Sequence, residues 1–105
     1  MGYYAMPDLM QLAFDERADA VHLHPGETPV IEVRRVLLLC PLEGPPLQPD
    51  ETEELLKGVA SDGDFSEFER EGRVCFYFHF RDVAVFQVMG FRESGHVRLE
   101  LRRFT

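Results

Sequence analysis

The chain has 105 residues, of which 45% are hydrophobic, and a formal net charge of −8. A domain of this size buries about two-thirds of its unfolded surface, so its core needs neither disulfides nor metal ions. The negative charge repels a phosphate backbone and argues against nucleic-acid binding. The longest wholly apolar run, Val36 to Leu42, is too short to cross a bilayer, and the N-terminus carries no basic leader. We therefore expect one cytoplasmic domain over residues 1–105, without membrane insertion.

The first third of the chain predicts a helix followed by strands. Pro7 to Ala18 favours a helix, since proline suits an early helical position and Leu9, Leu12 and Ala13 supply an apolar stripe. Ala20 to His24 alternates as a strand does. After a Pro-Gly turn, Val30 to Cys40 is typical of one strand or of two strands joined by a bend near Arg34 and Arg35.

The middle of the chain predicts two helices. Pro49 is expected to open the first, with acidic residues at its positive end and Leu55, Leu56 and Val59 toward the core. Asp64 and Glu67 form a pair similar to a capping box for a short further helix that ends at Gly72.

The last third predicts an antiparallel meander of three strands: Arg73 to Phe80, Val83 to Phe91 and His96 to Phe104. Turns fall at Arg81-Asp82 and at Glu93-Ser94-Gly95. The alternation is cleanest in the last strand, which indicates one wet face. Together the elements predict an α+β fold with about five to six antiparallel strands and helices packed on one face.

Candidate chemical groups are few. His22 and His24 could form part of a zinc or copper site, but no third ligand stands at a fixed spacing, so histidines on a partly exposed strand are the simpler interpretation. Cys40 and Cys75 each lie in an apolar run, which indicates buried small hydrophobes rather than nucleophiles or a disulfide. The carboxylates of residues 50–71 are expected on helix starts and solvated helical faces.

Motifs that bind nucleotide phosphates are missing from the sequence. It contains neither G-x-x-x-x-G-K-[ST] nor G-x-G-x-x-G. We therefore expect no enzyme activity and no cofactor.

Several short segments, in order along the chain, resemble the N-terminal domain of the type IV pilus and type II secretion ATPase family. The opening helix and Ala18 to Leu23 are similar to the family's "A-S-D-I-H-L" strand, and Gly26 to Val30 to its "G-x-P-P" turn. The remaining similarities are Leu47 to Leu56 with "L-T-x-E-D-x-x-x-L-L", Phe68 to Gly72 with "F-E-x-x-G", Val85 to Phe91 with "R-F-R-V-N-x-F", and Leu101 to Phe104 with "L-R-x-I". The resemblance implies a PAS-like fold that precedes a RecA-like motor in a hexamer.

The departures from the family lie at polar positions. Ala20 replaces an aspartate, Cys75 begins the pair that is "D-F" in the family, and the "R-V-D-G" bend loses its glycine at Arg35. The arginines of "R-F-R-V-N" are Val85 and Gln87 here, with Met89 in place of the asparagine. Because family arginines in this region approach the nucleotide held by the motor, the resemblance implies that the scaffold is kept while nucleotide-facing groups are lost. Arg92 alone stays near a family arginine.

These observations predict a degenerate, motor-less domain that acts as a protein–protein interaction or regulatory module. Its partner would be a pilus or secretion ATPase or a second copy of itself. The alternative is a PAS-like sensor with a small ligand between sheet and helices, lined by Phe76 to Phe80. The interaction surface is expected among the arginines: Arg34, Arg35, Arg92, Arg98, Arg102 and Arg103.

Overall fold

The computed structural model describes residues 3–33 and 38–104. The helices are α1 (Met6–Asp15), α2 (Glu51–Val59) and α3 (Asp62–Glu71). The strands are β1 (Ala20–Leu23), β2 (Val30–Val33), β3 (Leu38–Pro41), β4 (Arg73–Phe80), β5 (Ala84–Glu93) and β6 (His96–Arg103). No helix in the described ranges is long and apolar enough to cross a membrane.

The strands form one antiparallel sheet in the order β3-β2-β1-β6-β5-β4. The predicted meander of the last three strands is confirmed, with Arg73 opposite Phe91 and Phe86 opposite Arg103. β6 also pairs with β1, which joins the meander to the N-terminal hairpins. The predicted α+β class and antiparallel sheet are thereby confirmed, and the segment from Val30 to Cys40 provides two strands.

The helices pack on one face of the sheet, as predicted. Leu9 and Met10 of α1, Leu56 of α2 and Phe68 of α3 belong to one buried cluster with alternate residues of the strands. The strand residues in that cluster are Val21, Leu23, Ile31, Val74, Phe80, Ala84, Phe86, Val88, Val97, Leu99 and Leu101. We call the opposite face, formed by the other strand residues, the open face.

Three predicted boundaries are wrong in detail. Helix α1 ends at Asp15 rather than Ala18, because Arg17 adopts a left-handed φ of 54°. Helix α2 begins at Glu51, two residues after Pro49. The cap of α3 is Ser61, whose hydroxyl accepts a hydrogen bond from the Asp64 backbone N–H at 3.1 Å, so the capping pair starts three residues earlier than predicted.

Two glycines lie at the predicted ends of secondary-structure elements. Gly72 has a φ of 77° at the C-cap of α3, a conformation that glycine adopts without a Cβ penalty. Gly95, with a φ of 80°, follows Ser94 in the turn between β5 and β6. The predicted bend at Arg34 and Arg35 lies outside the described residues.

Candidate interaction surface

The open face of the sheet carries two neighbouring surfaces of different character. Side chains of β1, β2 and β6 supply a polar network, while β4, β5 and the end of β6 supply aromatic and apolar groups. In the described ranges, the three helices pack against the other face. The open face is therefore the face of the sheet that the helices leave uncovered.

The polar network is centred on His22. Its Nε2 lies 2.8 Å from a Glu32 carboxylate oxygen, and its Nδ1 lies 3.6 Å from Glu100. Arg102 donates to Glu100 from Nε at 2.9 Å, its Nη2 lies 2.8 Å from the same carboxylate, and it approaches Glu32 at 3.8 Å. The strand register makes this possible, since His22 stands opposite Glu100 and Ala20 stands opposite both Glu32 and Arg102. The network links side chains of three neighbouring strands, β2, β1 and β6.

The apolar part of the open face adjoins that network. Tyr77 and Phe104 are 53% and 62% exposed, and their rings meet edge to face with centroids 5.0 Å apart. Half-buried Val85, Met89 and Phe91 lie on the same face of β5. Exposed aromatic side chains beside a polar rim are the composition of many protein-binding patches.

The predicted arginines divide between the two faces of the sheet. On the open face, Arg98 donates to Glu93 at 3.0 Å with its guanidinium 4.5 Å from the Phe91 ring centroid, and Arg102 belongs to the polar network. On the helix side, Arg92 contacts Glu53 at 3.2 Å and lies over Phe68, while Arg103 lies over Phe14. Arg34 and Arg35 lie outside the described residues. The four described arginines therefore do not form one basic patch.

The cysteine prediction fails for Cys75, which is exposed and free. The reason is its parity: odd-numbered residues of β4 face away from the core, so the apolar neighbours in sequence point to the other side. The side chain of Cys40 lies outside the description. Among the described residues, no group of three or more histidine, cysteine or acidic side chains is placed to hold a metal ion.

Glu51 was predicted on a solvated helix start and is instead 5% exposed. Its carboxylate accepts hydrogen bonds from the backbone N–H groups of Tyr4 at 3.0 Å and Gln48 at 3.1 Å. It thereby ties the N-terminal segment and the proline-rich loop to α2. Nothing in the local sequence distinguishes it from its acidic neighbours, because its partners come from a distant segment and a loop.

The environment around Glu51 also changes the pKa of the Tyr4 hydroxyl. Burial raises the pKa of Tyr4 above its usual value of 10.0, and the charges of Tyr3 and Glu51 act in the same direction. The Tyr4 hydroxyl also donates to the Pro45 carbonyl at 2.6 Å. These contacts hold the N-terminal segment against the loop and have no evident link to the open face.

An apolar cleft of about 440 Å³ opens on the helix side, between α1, α2 and the end of β4. Its apolar lining includes Met6, Met10, Leu55, Phe78 and Phe80. His79 and Arg81 also line it. Two of the aromatic residues that the sensor alternative invoked thus border a space between sheet and helices.

Comparison of the coordinates with solved structures finds close similarity. The crystal structure of the pilus retraction motor PilT with bound ADP matches 97% of this chain with a TM-score of 0.86 and 26% sequence identity. The ATPase DotB of Legionella pneumophila matches with a TM-score of 0.75 at 17% identity over 97% of the chain, and that of Yersinia pseudotuberculosis with 0.71 at 15% over 94%. The two DotB matches show the fold alone.

This chain spans 29% of the PilT chain and 30% and 29% of the two DotB chains. No family model matches the sequence, and no curated protein sequence matches it significantly. The family resemblance seen in the sequence is nevertheless confirmed by these three structural neighbours, which are PilT and DotB ATPases, and their coverage is consistent with an N-terminal domain.

Proposed function

We propose that this chain is a non-catalytic, degenerate N-terminal-type domain of the secretion and twitching-motility ATPase family, working in the cytoplasm as a protein–protein interaction or regulatory module. The observation that carries the proposal is the likeness to the PilT structure over nearly the whole chain, at 26% identity. It is supported by the sequence, which has no phosphate-binding loop.

The proposed docking surface is the apolar part of the open face. Tyr77 and Phe104 are the anchors, because large aromatic side chains contribute most to binding when a partner removes them from water. The polar network beside them would form the rim, with Arg98 and Arg102 positioned to exchange their carboxylate partners for acidic groups of the partner. Arg92 and Arg103 belong to the other face, so they would serve a different contact.

The proposed partner is a pilus or secretion ATPase that carries its own motor domain. A domain that keeps the family fold is suited to bind the protein surfaces that this fold contacts in the ATPases. Hydrolysis would then belong to the partner. Pure protein incubated with ATP and magnesium is expected to release no phosphate above a buffer blank, and measurable turnover would contradict the non-catalytic assignment.

Binding to a full-length PilT-type ATPase from the same source tests the surface, with affinity measured by biolayer interferometry. Phe104→Ser and Tyr77→Ser are each expected to weaken binding about tenfold or more, since each removes an anchor. Tyr3→Ser is the matched control, because Tyr3 is 69% exposed and its ring packs against Tyr4 in the N-terminal segment. Equal effects of all three variants, or no binding by the unaltered chain, would overturn the proposal.

The second candidate function is a small-ligand sensor, favoured by the apolar cleft beside Phe78 and Phe80. Its size falls within the range of small-molecule sites, and its lining would select an apolar ligand. Native mass spectrometry of the purified chain tests it. A retained apolar molecule that Met10→Phe displaces would support the sensor, and a ligand-free spectrum together with ATPase binding would support the interaction module.

A further inference from the structure

β4 forms a long free edge of the sheet. It is eight residues long and pairs with β5 along its whole length without a break in register. It comes last in the strand order, so within the described ranges no further strand lies beyond it. Within the described residues, the strand at the opposite edge, β3, has four residues and contains Pro41. A short strand and a proline both discourage pairing with another chain.

The hydrogen-bond pattern identifies the backbone groups that point outward from β4. The Arg92 N–H donates to the Gly72 carbonyl at 2.8 Å, and this pair continues the register in which Arg73 faces Phe91. Since hydrogen-bonded and non-hydrogen-bonded pairs alternate in an antiparallel ladder, the even-numbered residues of β4 bond to β5. The N–H and carbonyl groups of Arg73, Cys75, Tyr77 and His79 therefore point away from the sheet.

The side chains of β4 do not protect this edge. Arg73 is the one formally charged residue of the strand, and it stands at the strand's first position. Prolines, lysines and bulges are common features that prevent edge pairing, and β4 has none of them. Phe76 and Phe78 remain half-buried although they face the helices, so further apolar surface is available for burial at the edge.

We propose that β4 pairs antiparallel with β4 of a second copy of this chain, with the two-fold axis beside Phe76. Phe76 is the midpoint of the outward-pointing residues, so this register engages all of them and forms about eight backbone hydrogen bonds, two for each bonded pair. The two sheets then become one continuous sheet. With the axis beside Tyr77, Arg73 would lie opposite the partner's Arg81, which is outside β4. The outward backbone groups of Arg73 would then lack a hydrogen-bond partner.

The side chains are self-complementary in the proposed register. On the open face, Cys75 stands opposite the partner's Tyr77, and Arg73 opposite the partner's His79. On the helix side, Phe76 meets its own counterpart and Val74 meets the partner's Phe78. No pair sets two acidic groups or two arginines directly against each other, and aromatic cross-strand pairs stabilise a sheet. This self-complementarity argues for a second copy rather than for an unrelated strand.

This inference goes beyond the proposed function, because it uses the outward-pointing backbone groups of β4, whereas the proposed ATPase contact uses side chains of the open face. The two are separable by experiment. A dimer that does not bind the ATPase would leave the edge pairing standing and remove the proposed function. ATPase binding by a strict monomer would do the reverse.

The native Cys75 reports on the register directly. In antiparallel pairing about Phe76, Cys75 and the partner's Cys75 are diagonal neighbours about 7–8 Å apart. In a Cys40→Ser background, a thiosulfonate linker with a one-carbon spacer is expected to give a covalent dimer on a denaturing gel. Cys75→Ser in the same background is expected to give none.

The mass in solution provides the second test, by sedimentation velocity over a concentration series. The unaltered chain is expected to form a dimer as concentration rises. Cys75→Pro is expected to be monomeric with intact β4–β5 pairing, because the N–H that it removes faces away from β5. Cys75→Lys, which needs no backbone change, is expected to weaken the dimer about tenfold or more, since it places two like charges diagonally across the axis.

Tyr3→Ser is the matched control, because the Tyr3 ring is 69% exposed and packs against Tyr4, and it is expected to leave the dimer intact. A chain that stays monomeric at all concentrations would overturn the inference. So would a dimer that Cys75→Lys leaves unchanged, or one that the linker fails to join through Cys75.

Discussion

Removal of the Glu51 carboxylate is expected to destabilise the fold far more than removal of its acidic neighbours. Glu51→Ala deprives two backbone N–H groups, those of Tyr4 and Gln48, of a charged acceptor. Hydrogen bonds to charged groups contribute about 1.5–3 kcal/mol each, and partial exposure lets water replace some of that, so the expected loss is about 2–4 kcal/mol. This is a large part of the roughly 5–15 kcal/mol that stabilises a domain.

Urea unfolding measures the loss. With a dependence of about 2 kcal/mol per molar urea, the midpoint of Glu51→Ala is expected to fall by about 1–2 M at unchanged slope. Glu54→Ala is the matched control, because Glu54 also lies in the first turn of α2 but is exposed. The favourable interaction with the helix dipole, about 0.3–1 kcal/mol, is lost in both variants and cancels in the comparison. Equal midpoints for the two variants would refute the assignment of Glu51 as a clamp.

Three other substitutions test the packing of β5, of α2 and of the N-terminal segment. Gly90→Ala places a Cβ 3.2 Å from a methyl group of Leu56, and is expected to cost about 1–3 kcal/mol in urea unfolding. Gly58→Ala meets nothing within 4 Å on an exposed helix and is expected to stabilise by about 0.5–1 kcal/mol, so a loss at this position would contradict the described packing of α2. Because the folded pKa of Tyr4 is raised above 10.0, the folded state binds that proton more tightly than the unfolded chain, and its contribution to stability is lost as pH rises through the raised pKa. Above pH 10 the urea midpoint of the unaltered chain is therefore expected to fall more steeply than that of Tyr4→Phe, and parallel pH profiles would count against the perturbed phenol.

The strands of this fold were predictable because residues of the two faces alternate clearly along their sequences. Residues 73–80 and 96–103 alternate so regularly that both strands appear within one residue of their predicted ends. The helix ends were less predictable, since Arg17 takes a left-handed conformation for which a sequence gives little signal outside glycine and asparagine. The sheet order was not predictable from the sequence, because the pairing of β1 with β6 joins distant segments and depends on tertiary packing.

The candidate surface was predicted only in part. Alternation tells which residues share a face, but not which face the helices will cover, so Cys75 was assigned to the core and is exposed. The burial of Glu51 depends on backbone groups supplied by a distant segment and a loop, which no local pattern reveals. The arginines were grouped by residue type, whereas their positions in the strands send Arg98 and Arg102 to one face and Arg92 and Arg103 to the other.

The departures from the "R-F-R-V-N-x-F" motif that the sequence resembles lie on the open face. Val85, Gln87 and Met89 stand where the motif has two arginines and an asparagine, and they are successive outward residues of β5. Their cross-strand neighbours are His79, Tyr77 and Cys75 on one side, and on the other side Gln87 faces Arg102 and Met89 faces Glu100. With Val85 and Met89 in place of polar residues, this face has fewer hydrogen-bonding groups and a larger apolar surface around Tyr77. If the proposed function holds, the residues that depart from the family motif on β5 are the ones that form the apolar docking surface.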